Sequence, residues 1–443
     1  MGKKNATVKR GGGWKIQMVM IWISQFLSIM GFSFSLSFAP YFIQQDLGIT
    51  RSGELQLWIA LFSSATAMTM AVAAPLWGIL ADRYGKRIML LRANLAGALC
   101  MSLMGGVQRP GMLIALRLFQ GAFTGTMTAA QAFLSSKMPS RRRGLAMGGL
   151  SAAVYSGTMA GAFLGGWVAH AFGYRRAFAI SGGLLLAAAL FVWFGTTEGA
   201  AVDAEDSEKN EDDALADAAG TLVPAGNHPA KALPEEAAKE SARMPRIRGG
   251  WRWLSGAMGG VLVAVGAVSL ARQFDISFLP LLVQDIHGQL DRTVALWSGS
   301  LNACGSVAGL LAGFLAGSMA DRVRPICILM WGALATAIFS GGQMFVHSFG
   351  VLFPVRFATI FFAGMLEPAL NAWLAKRVPE EHQGVIFGLA STARSVGWSV
   401  GPLLAGGVAM WHLRAVFGVS GAAYLLLGVI FAVIMRRRRE STT

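Results

Sequence analysis

The sequence predicts an all-α integral membrane protein in which twelve transmembrane helices form two six-helix bundles. Of its 443 residues, 54% are hydrophobic and only 14% are charged, whereas about 25% of the residues of a soluble protein are charged. Apolar stretches of about 20 residues, long enough to cross a bilayer, recur along the whole chain. The second half of the chain also repeats residues of the first half at a constant distance.

The predicted spans are numbered 1 to 12 in chain order. They cover residues 16–42, 57–79, 88–107, 111–134, 145–169, 175–196, 254–281, 295–319, 326–346, 350–374, 385–410 and 414–435. Residues 198–240, between spans 6 and 7, hold 12 of the 23 acidic residues. Such a polar segment cannot bury a core, which predicts a flexible linker. We therefore expect a first bundle at 1–197, a linker at 198–250 and a second bundle at 251–443.

The basic residues predict the orientation of the chain in the membrane. Lys and Arg concentrate at both termini and in alternate turns, as in the run Arg141–Arg143 and the tail Arg436–Arg439. By the positive-inside rule, both termini are expected in the cytoplasm, with the protein in a bacterial-type inner membrane. The net charge of +15 therefore reflects membrane topology, and nucleic acid is not an expected partner.

A repeat at half the chain length relates the two bundles. Gly78 and Asp82, in the turn after span 2, recur 239 residues later as Gly317 and Asp321. Further pairs keep an offset of 239 or 240: Pro40 and Pro280, Trp58 and Trp297, Arg117 and Arg356, Gly125 and Gly364, Pro139 and Pro379. Six helices repeated in one orientation form a parallel repeat, which is typical of secondary transporters.

Three motifs identify a family resemblance. Residues 78–87 match the pattern G-x-L-A-D-r-x-G-r-k, and residues 113–121 carry an Arg followed by Gln-Gly in span 4. Residues 157–166 in span 5 match G-x-x-x-G-P-x-x-G-G with Ala162 in place of Pro, and span 11 has the fuller form with Pro402. These motifs resemble those of the major facilitator superfamily, and within it those of the twelve-span drug:proton antiporters.

The resemblance implies a gate at the loop motif. In the family, the acid equivalent to Asp82 pairs with span 11 of the other half and closes the cytoplasmic side. A carboxylate near a helix N-terminus gains from its unpaired amides. The candidate gating residues are Gly78, Asp82, Arg83, Gly85, Lys86, Arg87, Asp321 and Arg322. The alternative is a basic turn that only sets topology, which would explain the cations but not Asp82.

Glycines repeat at a spacing of four in spans 5 and 11. The motif residues are Gly157, Gly161, Gly165, Gly397, Gly401 and Pro402. Four-residue spacing places them on one helix face, where small residues let two backbones approach closely. We expect them at the interface between the halves, either as tight packing or as a surface that slides during transport.

Six charged side chains are predicted within the spans: Arg117, Arg272, Asp275, Arg356, Glu367 and Arg394. Each costs about 2.5–3.5 kcal/mol at the bilayer centre, so such residues face a cavity or a partner. From their depths along the helices we expect an outer cluster of Arg272, Asp275 and Arg356, and an inner pair of Glu367 and Arg394. Asp275, Glu367, Arg117 and Arg394 are the candidates for proton coupling, with Arg272 and Arg356 as further cavity charges. Static structural ion pairs are the alternative.

A substrate cavity is predicted between the halves. Its candidate residues are Gln25, Phe32, Phe38, Phe274 and Phe278. Aromatic walls and 22 methionines suit varied lipophilic ligands, although ordinary packing explains such residues as well. Four Arg against two acids within the spans fit a neutral, zwitterionic or anionic substrate at least as well as a cationic one.

Two functions follow, with small-molecule substrates and protons as partners and no cofactor or metal. The first is a proton-driven exporter of lipophilic small molecules, of the multidrug efflux kind, acting as a monomer. The second is a proton-coupled carrier of organic anions, zwitterions or metabolites. An enzyme is disfavoured because the six His are scattered, and a membrane sensor because no folded output domain is predicted. An ATP-driven pump is disfavoured because no G-x-x-x-x-G-K-[ST] motif occurs.

Overall fold

A computed structural model describes residues 14–137, 143–197, 257–320, 323–375 and 383–440. The predicted linker at 198–250 and the second copy of the loop motif at Asp321 and Arg322 lie outside the described residues. The part of the chain that is described contains α-helices, short 3-10 turns and no strand.

The described residues of the first half form eight helices: α1 (Trp14–Phe34), α2 (Ala39–Gln45), α3 (Ser52–Tyr84), α4 (Lys86–Met104), α5 (Pro110–Phe123), α6 (Thr126–Lys137), α7 (Arg143–Phe172) and α8 (Tyr174–Gly195). Those of the second half form seven: α9 (Ala257–Ile276), α10 (Leu279–His287), α11 (Thr293–Ala320), α12 (Pro325–Gly342), α13 (Phe349–Ala375), α14 (Gln383–Trp411) and α15 (Ala415–Glu440).

Helices lie at each of the twelve predicted spans. Within the described residues, nine segments are long and apolar enough to cross a membrane on their own. Spans 1, 4 and 7 are each built from two helices, namely α1 with α2, α5 with α6, and α9 with α10. The predicted fold class, an all-α membrane protein built as a helix bundle in two related halves, is confirmed.

Prolines interrupt spans 1 and 7 at equivalent places. Pro40 and Pro280 each stand in the first turn of the second helix of their span. A proline cannot donate a backbone hydrogen bond and its ring clashes with the carbonyl four residues earlier. The helix therefore stops just before it, at Phe34 in span 1 and at Ile276 in span 7. Both breaks place backbone and side-chain polar groups inside the bundle.

The two halves are joined by an apolar cluster on the side opposite the chain termini. This cluster contains residues of both halves, such as Phe34, Phe42, Leu282 and Phe417. Toward the termini, the described buried residues form two further clusters, one in each half. Within the described residues, the apolar core that the halves share therefore lies on the side away from the termini.

Close backbone contacts join the halves along two helix pairs. Helix α7 packs on α11, where a Cβ on Gly166 would lie 2.3 Å from the carbonyl oxygen of Ala295. Helix α3 packs on α14, where a Cβ on Gly406 would lie 2.6 Å from the Cβ of Ala60. Both distances are shorter than a van der Waals contact, so only glycine fits at these two positions.

Most of the glycine motif lies elsewhere than predicted. Gly157, Gly161 and Gly165 of α7 face the backbone of α1, and Gly397 and Gly401 of α14 face the backbone of α9. These contacts are within one half, so the expectation of an interface between halves is wrong for them. Each bundle packs its own fifth helix onto its own first helix through this face. Pro402 is buried within α14.

Candidate functional site

Asp275 and Arg356 form a buried ion pair in the second half. Arg356 Nη1, from α13, lies 2.6 Å from Asp275 Oδ2 at the end of α9. Their side chains are 2% and 6% exposed. The same guanidinium nitrogen lies 3.5 Å from the amide oxygen of Gln343, whose nitrogen donates to Thr359. The carboxylate neutralises the cation, which a charge at this depth requires.

Glu367 forms a second ionic site between three helices. Its Oε2 accepts from Arg272 Nη1 of α9 at 2.7 Å, and its Oε1 lies 3.1 Å from Arg394 Nε of α14. Arg394 also donates to Asn371 at 3.3 Å. The predicted pair of Glu367 and Arg394 is therefore present. About a third of the Glu367 side chain is exposed, at 35%.

Arg272 joins this site and not the Asp275 pair, which corrects the predicted outer cluster. The reason is the direction of its side chain. In a helix the Cα–Cβ bonds tilt toward the N-terminus, and α9 begins on the side of the termini. Arg272 therefore reaches back to Glu367, which lies eleven residues, or about 16 Å, beyond Arg356 along α13.

The wall around Glu367 borders a small cavity. It is lined by Ser269, Arg272, Glu367, Leu370, Arg394 and Trp398, among others. The Glu367 carboxylate is partly exposed, and its two cationic partners lie on two other helices, so it can change partners when those helices move. The side chains of Asp275 and Arg356 are buried and lack this exposure.

Arg117 of α5 lies in the first half with no carboxylate partner. Its Nη2 donates to Ser35 Oγ at 2.9 Å and its Nη1 to Gln120 Oε1 at 3.2 Å. The guanidinium carbon lies 3.7 Å from the centre of the Phe62 ring. Its Nε is buried and makes no hydrogen bond, and among the described residues no ion pair includes Arg117. The structure therefore does not bring Arg117 together with Asp275, Glu367 or Arg394.

The residues predicted to line a substrate cavity are instead packed. Phe38 contacts the ring of Phe178 at 4.9 Å, and Phe274 and Phe278 are buried in the cluster that joins the halves. Gln25 is buried and its amide lies 3.4 Å from Thr126, and Phe32 packs against Gly97 within the first half. Hydrophobic pattern alone cannot separate a cavity wall from a core, so this prediction is corrected.

A cavity between the halves is lined by other residues. Helices α2, α3 and α5 of the first half contribute Ile43, Phe62, Thr66 and Arg117, and α9 of the second half contributes Gln273 and Ile276. Leu36 and Ser277, at the breaks of spans 1 and 7, also line it. Ile43 and Phe62 belong to the apolar cluster that joins the halves, so the cavity borders that cluster.

The first loop motif forms the junction of α3 and α4. Gly85 separates the two helices with φ of +95°, a conformation that favours glycine. Arg87 donates to the carbonyl of Trp193 at 2.5 Å, which ties the motif to α8 of its own half. Gly78 and Asp82 lie in the last two turns of α3, and Arg83 and Lys86 lie on either side of the junction.

Sequence reasoning missed a repeated arginine bridge at the opposite side. Arg175 Nε lies 3.1 Å from Asp46, and its Nη1 donates to the carbonyls of Gly105 and Val107. The same contacts recur in the second half, where Arg414 bonds Asp285 and the carbonyls of Met344 and Val346. All four residues of one bridge are 239 positions from those of the other, so the repeat offset could have identified them.

The hydroxyl of Tyr41 forms hydrogen bonds between the two halves. The hydroxyl of Tyr41 on α2 donates to the carbonyl of Pro280 at 2.6 Å and lies 2.6 Å from Ser298 Oγ. Gln45 adds a bond to the carbonyl of Leu290 at 3.1 Å. These bonds hold the two halves together on the side opposite the termini.

Comparison with known proteins agrees with this architecture. The family model described as Major Facilitator Superfamily matches residues 21–289 and 261–443. Multidrug resistance protein MdtG of Citrobacter koseri is 29% identical over 429 residues, covering 97% of each chain. The protein of the same name from Salmonella typhimurium is 29% identical over 427 residues, covering 96% of this chain and 97% of the relative.

Solved transporter structures share the fold. A variant of the nucleoside transporter NupG superposes with a TM-score of 0.71 at 11% identity, covering 94% of this chain and 99% of the other. A bacterial homologue of the human lysosomal transporter Spinster, in an inward-facing and occupied conformation, gives 0.68 at 14% identity, covering 95% and 96%. The chain therefore belongs to the major facilitator superfamily, as a membrane transporter and not an enzyme.

Proposed function

We propose that this protein exports lipophilic small molecules across a bacterial inner membrane in exchange for protons. The observation that carries the proposal is the carboxylate of Glu367, which lies on a cavity wall between Arg272 and Arg394 of two other helices. Relatives named multidrug resistance proteins support the substrate class. The protein works as a monomer with both termini in the cytoplasm.

Glu367 is the main proton carrier in this scheme. Neighbouring cations favour the ionised form of a carboxyl, and their removal favours the protonated form. In the present conformation Arg272 and Arg394 both contact the Glu367 carboxylate. We assign this conformation, in which the halves share their apolar cluster opposite the termini, to the cytoplasm-facing state that loads substrate. Relative movement of α9, α13 and α14 then frees Glu367 to take a proton from the other side.

Asp275 is the second candidate carrier. Its pair with Arg356 is deeply buried, and breaking it costs more than breaking the exposed one. We assign it mainly to holding the break of span 7 against α13. Asp82 and its neighbouring loop residues close the cytoplasmic side when the halves tilt, with the cations of the motif also setting topology.

Transport in proteoliposomes tests the proposal. Purified protein is reconstituted, a pH gradient is imposed, and movement of the neutral dye N-phenylnaphthylamine is followed by fluorescence. We expect gradient-driven transport by the wild type and its collapse when a protonophore is added. Glu367→Gln should abolish the response to the gradient. Glu54→Gln, which alters an exposed acid at the start of α3, should leave it unchanged. Equal gradient dependence in Glu367→Gln would contradict the assignment.

A carrier of organic anions is the second candidate function, favoured by the unneutralised Arg117. Cells with and without the gene distinguish the two directions of transport. An exporter lowers the accumulation of a fluorescent substrate in the cell, whereas an uptake carrier raises it.

A further inference from the structure

The cavity between the halves contains a cation that the protein itself does not neutralise. Arg117 is 8% exposed, and the contacts of its guanidinium are the Ser35 hydroxyl, the Gln120 amide and the Phe62 ring. None of these carries a negative charge. A charge buried to this extent is stable only with a partner or hydrogen bonds at every donor. The Nε–H group of Arg117 is buried and makes no hydrogen bond.

The second half shows how the same position is neutralised. Arg356 is the repeat of Arg117, and Asp275 is the repeat of Ser35 at an offset of 240. The two arginines therefore reach equivalent helix breaks, and only the second break supplies a carboxylate. The first half therefore has a hydroxyl, that of Ser35, at the position where the second half has the carboxylate of Asp275.

We propose that the cavity at Arg117 binds the anionic group of an amphiphilic substrate, such as an aromatic carboxylate. This inference rests on the proposed transport function and limits its substrates to amphiphilic molecules with an anionic group. The carboxylate pairs with Arg117, and the second half lines the same cavity with the amide of Gln273 and the hydroxyl of Ser277 as further donors. The apolar part of the substrate contacts Leu36 and Phe62.

The location of this site gives binding a role in transport. Arg117 belongs to the first half, whereas Gln273 and Ser277 belong to the second. A bound anion therefore contacts both halves beside the apolar cluster that joins them, and it stabilises the arrangement in which they meet there. It lies apart from Glu367, so substrate charge and proton coupling are carried by different residues.

Binding of a matched ligand pair tests the site. Full-length protein in lipid nanodiscs, with no pH gradient, is titrated with 2-naphthoate and with its neutral methyl ester. Wild type should bind the naphthoate about tenfold more tightly than the ester, the scale of a charge-assisted hydrogen bond. Arg117→Gln should weaken naphthoate binding about tenfold and leave the ester unchanged. Arg117→Lys should retain most of the preference.

Two further variants complete the test. Ser35→Asp places the missing carboxylate beside Arg117 and should also remove the preference for naphthoate. Arg176→Gln removes a cation from an exposed position and should behave like wild type. The proposal is overturned if wild type shows no saturable binding of naphthoate or no preference for it, or if Arg117→Gln weakens both ligands equally. Because no gradient is present, failure of proton coupling would leave this binding result intact.

Discussion

Arg117 in the first half and Arg356 in the second occupy equivalent places in the repeat, yet their surroundings differ in charge. Arg356 is held by Asp275 at 2.6 Å, and the pair is almost completely buried. Arg117 is held by the hydroxyl of Ser35 at 2.9 Å and borders the cavity between the halves. One side-chain difference thus separates a neutral structural pair from an available cation.

This difference shows how two copies of one fold acquire separate tasks. The backbone breaks at spans 1 and 7 are shared, because both follow from a proline at the same position. The charges are not shared, because both acids within the spans, Asp275 and Glu367, belong to the second half. We therefore assign proton binding to the second half and binding of the substrate's charged group to the first.

The largest effect is expected from Asp275→Ser, which gives the second half the pattern of the first. Arg356 is 2% exposed and would be left without a carboxylate. Removing one partner of a buried pair costs about 3–5 kcal/mol. Thermal unfolding followed by tryptophan fluorescence should show a marked loss of stability. As a control, Asp285→Ser breaks a pair whose carboxylate is 45% exposed, which should cost about 1 kcal/mol or less. Similar losses in both variants would contradict the comparison.

Depth along the helices is predictable from sequence, whereas the choice of partner is not. Counting residues places Glu367 and Arg394 at one level, and the structure pairs them. The same count groups Arg272 with Asp275, which is wrong because the side-chain direction on α9 matters more than its level. The sequence predicts Phe38 and Phe278 in a cavity, because it does not show which apolar faces meet when the halves close.

A smaller effect is expected from Tyr41→Phe, which removes the hydrogen bond from the Tyr41 hydroxyl to the Pro280 carbonyl. This bond has no equivalent from the second half. The repeat position in the second half is Leu281, which has no hydroxyl. Loss of one buried hydrogen bond costs about 1 kcal/mol, or roughly a fivefold shift between two conformations. Spin labels at Arg109→Cys and Gln289→Cys, on a background without the native cysteines, should report more of the state that is open opposite the termini.

Tyr174→Phe is the matched control for this change. The hydroxyl of Tyr174 is buried but has no hydrogen-bond partner, so its removal breaks no bond. An equal shift in both variants would show that the Tyr41 bond does not hold the halves together.

The smallest effect is expected at the start of α11. Asp291 accepts hydrogen bonds from the Thr293 side chain and from the amides of Thr293 and Val294. These bonds, first that of the Thr293 side chain, lower the pKa of Asp291 below its usual value. A lowered pKa stabilises the fold above the unfolded-state value, and this stability is lost as the pH falls through the folded-state value.

Asp291→Ala should therefore cost about 1 kcal/mol at neutral pH and less below about pH 4. At the equivalent start of α3, Arg51 makes no capping bond, so Arg51→Ala should have little effect. Melting temperatures measured across this pH range provide the test. A loss that does not change with pH would show that the ionised carboxylate is not what stabilises this turn.

We propose that Glu367, and not the Arg117 site, exchanges a proton for substrate. Infrared difference spectroscopy of the purified transporter on addition of N-phenylnaphthylamine measures this exchange. We expect the wild type to lose a protonated-carboxyl signal, Arg117→Gln and Asp285→Asn to keep this response, and Glu367→Gln to lack it. An unchanged carboxyl response in Glu367→Gln would show that another group carries the proton.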